Sequence, residues 1–428
     1  MRAQARPTAP NGFLLLPLLL GGMFLTGSPQ AWAVGSVTFT QMTVERCEES
    51  GACEWKLSCG VGSDPQETEL LKGASAKTKY SVKIGKNLEV AKFPTTVHCT
   101  AWEDDGFFGE SWEKLATVSV DVPSGGDYQL FIGSKDQGTV RVVMAADSLE
   151  VSIAPPSAPA PAAPAGKPGK GKAAAKPASP LQFLAAFNPS PAGHAVVIGL
   201  EWKAFKDTMD RLAAQGIQLE DVETFEQGGK RLWNGIFRNS PDEVKLLVDL
   251  EGKKFDDSWK KLTGGRMRLT DMEVYESGGK NLYAGIFRNL GESHALWHTQ
   301  TRKDFEEKVK ELASYKQQRL LDFEVYKNAG SLVYDGTFRE GTREAQLWTG
   351  LDQAAFLSKV QGIGNKEWEV VDVETYKDGK GRFYDAIIRT GTPGSEVVTA
   401  PDLDAFTRRW SELVAKGKRL VSLEVYRD

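Results

Sequence analysis

Phe205, Phe255, Phe305, Phe356 and Phe406 follow one another at steps of 50, 50, 51 and 50 residues. Each opens the same pattern. Met209 and Leu212 follow Phe205 at i+4 and i+7, and the later copies are Trp259 and Leu262, Val309 and Leu312, Val360 and Ile363, and Trp410 and Leu413. That spacing places each trio on one face of a helix. A chain that copies itself at a fixed period builds one small unit repeatedly, and each unit buries its apolar face against the next.

A strand is expected after each helix. Asp221-Val222-Glu223-Thr224-Phe225 returns as Asp271-Met272-Glu273-Val274-Tyr275 and Asp322-Phe323-Glu324-Val325-Tyr326. Asp372-Val373-Glu374-Thr375-Tyr376 and Ser422-Leu423-Glu424-Val425-Tyr426 complete the set. Glycine pairs such as Gly228-Gly229 supply the positive φ of a tight hairpin. The second strand reads Leu232-Trp233-Asn234-Gly235-Ile236-Phe237-Arg238, with copies ending in Arg288, Arg339 and Arg389. A third strand, such as Val244-Lys245-Leu246-Leu247-Val248, closes an α-β-β-β unit.

The ends carry a further hint. Phe183 to Asn188 and His194 to Ile198 match the second and third strands of a unit that lacks its helix and first strand. The last helix and first strand, ending at Asp428, have nothing behind them. Two half-units at opposite ends make one whole. The expectation is therefore a five-unit domain over 181–428, closed as an α/β propeller-like ring, with an open curved array as the alternative.

The preceding chain is different. Residues 154–180 are dominated by proline, alanine and lysine and hold no large apolar residue, so a solvated linker is expected. Lys167, Lys170, Lys172 and Lys176 either touch an anionic surface or only keep the tether soluble. Residues 34–153 alternate in stretches such as Thr117 to Val122 and Thr139 to Val143, the pattern of a β-sandwich. The fold class expected for the whole is α+β and multidomain. At the N-terminus, Arg2 and Arg6, an apolar run from Phe13 to Leu20 and Ala31-Trp32-Ala33 follow the order of a signal peptide cut after Ala33. The run is too short to span a membrane, and no transmembrane segment is expected. This places the protein outside the cytoplasm, secreted or periplasmic. There, Cys47, Cys53, Cys59 and Cys99 suggest two disulfides, with Cys47–Cys53 and Cys59–Cys99 favoured among three pairings. The formal charge of −4 becomes −6 without Arg2 and Arg6, which does not suit a nucleic-acid partner.

The aromatic-led helices, the x-Glu-x-Tyr strands, the Gly-Gly turns and the Tyr-x-Gly-x-Phe-Arg strands resemble the bacterial tandem repeat domain found in the non-catalytic part of polyglycine hydrolases. The resemblance covers about 181–428 and implies a scaffold or recognition role. The serine β-lactamase-like domain that follows the repeats in those enzymes has no counterpart before Asp428. The fivefold α/β count is also similar to that of penteins, but their chemistry needs a nucleophilic cysteine and residues 181–428 contain none. A shorter resemblance lies in Ala101-Trp102-Glu103-Asp104-Asp105-Gly106-Phe107-Phe108-Gly109-Glu110, which looks like the acidic loop of C2-like sandwiches. There Glu103, Asp104 and Asp105 either bind calcium or form a plain acidic turn.

Three sets of repeat residues are candidates for binding. The glutamates Glu223, Glu273, Glu324, Glu374 and Glu424 and the arginines Arg238, Arg288, Arg339 and Arg389, with Asn188 in the fifth place, would form circles of charge. Such circles bind a ligand on an axis or tie strands together in Arg–carboxylate pairs. The aromatics Trp233, Tyr283, Tyr334 and Tyr384 either stack on a ligand or belong to the core. No catalytic residue is assigned. Ser258-Trp259-Lys260-Lys261 matches a serine-x-x-lysine pattern, but Trp259 is expected on the core face of a helix. His294 and His298 lack the glutamate of a zinc protease motif. The reading is an exported, non-catalytic binding or scaffold protein for a protein, peptide or glycan, with no cofactor beyond a calcium ion at the acidic loop. The alternatives are a secreted hydrolase with a carboxylate site and a structural cell-surface spacer.

Overall fold

The computed structural model describes residues 32–46, 53–62, 66–76, 79, 81–90, 93, 95–104, 112–122, 124–134, 138–152 and 179–428, save 365 and 380. Chain contacts divide it into two compact units, Met1–Ala160 and Pro161–Asp428. The expected signal region up to residue 31, the linker over 154–178 and Cys47 lie outside the described residues. The expected cut after Ala33 falls just inside the first strand.

The first unit is all β. Its strands are β1 (Trp32–Arg46), β2 (Cys53–Val61), β3 (Thr68–Ala76), β4 (Ser81–Val90), β5 (Thr95–Asp104), β6 (Trp112–Val122), β7 (Gly126–Ser134) and β8 (Gly138–Val151). β4, β1, β8 and β7 pair in succession, all antiparallel, and β3, β2, β5 and β6 form a second sheet. Both sheets turn apolar side chains into one core, among them Val37, Phe39, Trp55, Leu57, Val97 and Val142. Cys59 and Cys99 face each other across β2 and β5 and form a disulfide inside this core, with their Cα atoms 4.1 Å apart.

The second unit contains β9 (Leu181–Pro189), β10 (His194–Leu200), α1 (Trp202–Ala213), β11 (Ile217–Gln227), β12 (Lys230–Asn239) and β13 (Val244–Glu251). It continues through α2 (Gly252–Thr263), β14 (Met267–Ser277), β15 (Lys280–Asn289), β16 (His294–Gln300), α3 (Arg302–Tyr315), β17 (Gln318–Asn328), β18 (Ser331–Glu340) and β19 (Ala345–Leu351). The last elements are α4 (Gln353–Ile363), β20 (Trp368–Asp378), β21 (Gly381–Thr390), β22 (Glu396–Ala400), α5 (Leu403–Ala415) and β23 (Lys418–Arg427). Each repeat makes one antiparallel sheet with the hairpin's second strand in the middle, as in β13-β15-β14, β16-β18-β17 and β19-β21-β20. In the last sheet β9 takes the middle place between β22 and β23, so the two half-units do combine. Helix phenylalanines pack onto these middle strands: Phe255 stacks on Tyr283 at 5.0 Å, Phe305 on Tyr334 at 5.4 Å and Phe356 on Tyr384 at 5.5 Å.

The expected α+β chain with a closed α/β propeller-like ring is not what forms. Strands dominate, with 23 against 5 helices among the described residues, and they make several small, separate sheets with no closed barrel or propeller among them. The physical reason lies between the repeats. The first strands β11, β14, β17, β20 and β23 lie beside one another in that order, and β23 also lies beside β11. They meet through side chains and not through ladder hydrogen bonds, so each first strand stays at the edge of its own sheet. The helix pattern is conspicuous in the sequence, but each unit spends about twice as many residues on its strands.

Candidate functional site

Every first strand carries a bulge at the same place: Leu219/Asp221, Leu269/Asp271, Leu320/Asp322, Val370/Asp372 and Leu420/Ser422. A bulge adds a residue and shifts the alternation by one. In β11, Leu219 and Val222 therefore both face the helix-side core, although alternation alone would oppose them. Asp221 and Glu223 point the other way, toward the neighbouring first strands. Five copies of this arrangement bring two tiers of carboxylates together, one of aspartates and one of glutamates, about 7 Å apart by the rise of two strand residues.

The aspartate tier holds Asp221, Asp271, Asp322 and Asp372, all buried, with Ser422 in the fifth place. These groups stitch one repeat to the next. The Val222 N–H donates to Asp271 Oδ2 at 3.1 Å, and the Phe323 N–H to Asp372 Oδ2 at 3.4 Å. Ser422 Oγ donates to Asp372 Oδ1 at 3.0 Å. Burial, then the charge of the neighbouring aspartates, pushes Asp221, Asp271 and Asp322 well above the usual carboxylate range. Asp372 is raised by burial only to about 6, because the Ser422 hydroxyl and backbone N–H groups stabilise its anion.

In the glutamate tier, Glu223, Glu273, Glu324 and Glu374 are buried and Glu424 is partly so. Thr224 donates to Glu273 Oε1 from its N–H at 3.0 Å and its hydroxyl at 2.8 Å. Glu273 hydrogen-bonds Glu324, and Glu374 hydrogen-bonds Glu424, so these pairs share protons. Burial first, then mutual repulsion, raises Glu223, Glu324 and Glu374 far above their ordinary value.

The arginines do not meet these glutamates, as an Arg–Glu circle would require. Arg238 pairs with Glu220 at 2.7 Å, Arg339 with Glu292 at 2.5 Å and Arg389 with Glu369 at 2.7 Å. They also clamp neighbouring repeats: Arg288 donates to the Leu219 carbonyl at 2.7 Å and Arg238 to the Leu420 carbonyl at 2.5 Å. Asn188 takes the fifth place and donates to the Val370 carbonyl at 2.7 Å. Above the aspartate tier lies a cavity of about 440 Å³, floored by Asp221, Asp271, Asp322 and Asp372 and walled by Arg288, Arg339, Arg389, Asn188, Glu220 and Asp242. Most of its lining residues are charged or polar, so it suits polar or charged groups.

The aromatic set lies elsewhere. Trp233, Tyr283, Tyr334 and Tyr384 are at most 5% exposed and belong to the core, so they offer no stacking surface. Trp233 meets Tyr275 of the next repeat edge-on at 5.7 Å, and the Tyr283 hydroxyl lies 2.8 Å from that of Tyr326. His294 and His298 form no joint site either. His294 packs against Trp259. His298 Nδ1 lies 2.6 Å from Asp335 Oδ2 and its Nε2 3.0 Å from Asp256 Oδ1. Burial pulls its pKa down, but the bond and charge of Asp335, with Asp256, prevail and raise it. Ser258 is in α2, within a repeat helix. In the first unit Glu103 is buried within β5, between backbone partners Trp55 and Glu113, while the loop after Asp104, including Asp105, lies outside the described residues. Most of the expected calcium loop therefore lies outside the described residues. What sequence reasoning missed is the aspartate tier. Its signal was present, an aspartate two residues before four of the five repeat glutamates.

The fold thus defines a tandem α-β-β-β repeat protein with a carboxylate-lined centre. Residues 194–240 and 245–289 match the family described as polyglycine hydrolase-like, structural repeat. No curated protein matches. Among solved structures, the first C2 domain of plant extended synaptotagmin 1 is 11% identical, with 27% of this chain and 94% of that chain covered, at a TM-score of 0.21. The paired C2 domains of extended synaptotagmin 2 are 8% identical over 78% of this chain and 98% of that chain, with a TM-score of 0.22. Human GIVD cytosolic phospholipase A2 is 8% identical over 79% of this chain and 37% of that one, also at 0.22. Scores at this level carry no argument about fold or function. Among the described residues no helix is long and apolar enough to cross a membrane.

Proposed function

We propose that this chain is an exported, non-catalytic binding or scaffold protein that recognises a segment of a protein, peptide or glycan in the cavity above the aspartate tier. The observation that carries the reading is the lining: buried carboxylates below and arginines around the wall. Arg339 and Arg389 of the wall are already paired with Glu292 and Glu369, and burial holds the floor carboxyls toward their neutral form, so no single charge sign dominates. The lining favours uncharged ligand groups that exchange hydrogen bonds, such as sugar hydroxyls or amides. Export is supported by the basic-apolar-small order of the N-terminus and by the Cys59–Cys99 disulfide. A bacterial source is part of the same reading, and the repeat resemblance supports it.

The test is binding of the full chain to a panel of cell-wall glycans and peptides, repeated with Arg339→Gln. Saturable binding that the folded variant loses supports recognition in the cavity. Equal binding by both chains moves recognition away from it. A second reading, a secreted hydrolase, rests on Asp322, whose raised pKa would let it act as a general acid. Release of product from the same panel, abolished by Asp322→Asn, would favour that reading.

A further inference from the structure

His298 stands near the end of β16, away from the cavity lining. Its ring lies between two acids on two other elements. Nδ1 is 2.6 Å from Asp335 Oδ2 on β18, and Nε2 is 3.0 Å from Asp256 Oδ1 on α2. β16 and β18 share a sheet, whereas α2 packs on the preceding one, so the imidazole joins two repeats. Asp335 is fully buried and well supplied: the Thr299 N–H donates to it at 2.6 Å, and the Tyr326 and Tyr283 hydroxyls at 3.0 and 3.2 Å. The side chain of Asp256 is 41% exposed and can turn to water. The titratable groups that face the ring are thus Asp335, Asp256, Tyr283 and Tyr326. Tyr283 also meets it edge-on at 5.6 Å, as Phe255 of α2 does at 6.2 Å.

The next repeat shows what is particular here. Asp385 stands where Asp335 does and takes bonds from Tyr334 and Tyr376 in the same way. The cation behind those tyrosines is Arg302, whose charge is permanent. Seven residues before the helix phenylalanines stand Ile198, Val248, His298, Thr349 and Thr399, and of these His298 alone titrates. Thr349 donates to Glu306 Oε1 at 2.5 Å, with Glu306 in the place of Asp256, so that seam has a donor with no charge to lose. An imidazolium donates from both nitrogens, a neutral imidazole from one. With Asp335 holding the proton at Nδ1, a neutral His298 turns the Nε2 lone pair on Asp256, and two acceptors 3.0 Å apart repel. Burial opposes the imidazolium, but Asp335 and Asp256 prevail and keep it charged above the ordinary value of 6.5. The double contact is therefore complete below pH 6.5 and is lost as pH rises through the raised value. We propose that His298 is a pH-sensitive latch: protonated, it ties α2 of one repeat to β18 of the next, and on losing its proton it releases α2 at Asp256.

The experiment follows the full chain from about pH 5.5 to 9 with two readouts. One is the imidazole resonances by NMR, with His298 assigned by its loss in His298→Thr. The other is amide hydrogen exchange by mass spectrometry, corrected for the intrinsic rate. His298 should titrate above 6.5, and protection of residues 252–263 should fall about threefold across that midpoint. Protection of α3, held by Thr349, should show no such step, which separates the latch from any pH effect on the whole unit. His298→Thr installs the pairing of the next seam and should erase the step. In Asp256→Asn an amide can donate to the neutral Nε2, so the step should vanish and the His298 midpoint should move down. A midpoint at or below 6.5 overturns the proposal, as does a wild-type α2 without the step or a step that persists in Asp256→Asn. Should His298→Thr fail to fold, Asp256→Asn, at a partly exposed position, both assigns the resonance and decides.

Discussion

Gly285 lies on the middle strand of its unit, directly under the helix. A Cβ there would stand 2.8 Å from Leu269 Cδ1 and 2.9 Å from Phe255 Cε2. Gly235 and Gly336 occupy the same place beneath Phe205 and Phe305. Gly285→Ala should therefore force the Phe255 ring outward and cost about 1–3 kcal/mol, read as a lower urea midpoint. An unchanged midpoint would show that the ring has room to move. In the fourth repeat this position is Ala386, opposite Val373, so the helix there tolerates a methyl group. Asp385, the neighbour of Ala386, gives a pH prediction. Burial raises it to about 6, against hydrogen bonds from the Gly350 N–H at 2.5 Å and the Tyr334 hydroxyl at 2.8 Å. A carboxyl raised by folding contributes stability that is complete below its ordinary pKa and is lost as pH rises through the folded value. Between about pH 4 and 7.5 the wild-type chain should lose about 3 kcal/mol that Asp385→Asn does not lose. Parallel curves for the two proteins would contradict the assignment. The repeat residues themselves were readable from sequence as a list. Their orientations were not: Tyr334 and Trp233 suited the core and left a ligand-stacking role open, and the packing of Phe305 and Tyr275 against them separates the two.

At the scale of the elements, the helices announced themselves through the i, i+4, i+7 trios, and the structure adds side-chain caps to α3, α4 and α5. Thr301 accepts from the Asp304 N–H, and Asp352 and Asp402 accept from the N–H groups of Ala355 and Ala405. Glu201 and Glu251 stand at the same place before α1 and α2 but make no cap bond. Thr301→Ala should cost about 1 kcal/mol in thermal or denaturant unfolding. A Thr301→Ala chain as stable as wild type would mean that the third helix draws its stability from Phe305 and Leu312 alone. The bulges were hidden for a definite reason. Alternation predicts Leu219, Asp221 and Glu223 on one face, and the extra residue at Glu220 changes the phase without changing the composition. Both carboxylate tiers depend on that single-residue slip, which period and composition alone do not reveal. The same slip explains the small sheets. An aspartate that accepts a neighbouring strand's N–H, as Asp271 does from Val222, occupies the donor that a ladder would need.

At the scale of the whole repeat unit, the decisive contact joins residues far apart in sequence. β9 carries Phe183, Leu184, Ala185, Ala186 and Phe187, all fully buried, and it sits between β22 and β23. Phe183 stacks on Phe406 of the last helix at 5.0 Å, and Gln182 donates to Asp428 at 2.6 Å. Two half-units in the sequence pointed to this pairing, because neither could bury its apolar face alone. A chain from which residues 181–189 are deleted should lose the middle of its last sheet. The two phenylalanines and Leu184 alone represent several kcal/mol of burial, a large part of what a domain has to lose. Its cooperative melt, followed by near-ultraviolet circular dichroism, should move down by many degrees or vanish. Deleting residues 160–176 instead, which contribute none of these strands, should leave the melt where it is. If both deletions melt alike, the pairing of β9 with β22 and β23 contributes nothing, and the repeats hold together by their neighbours alone.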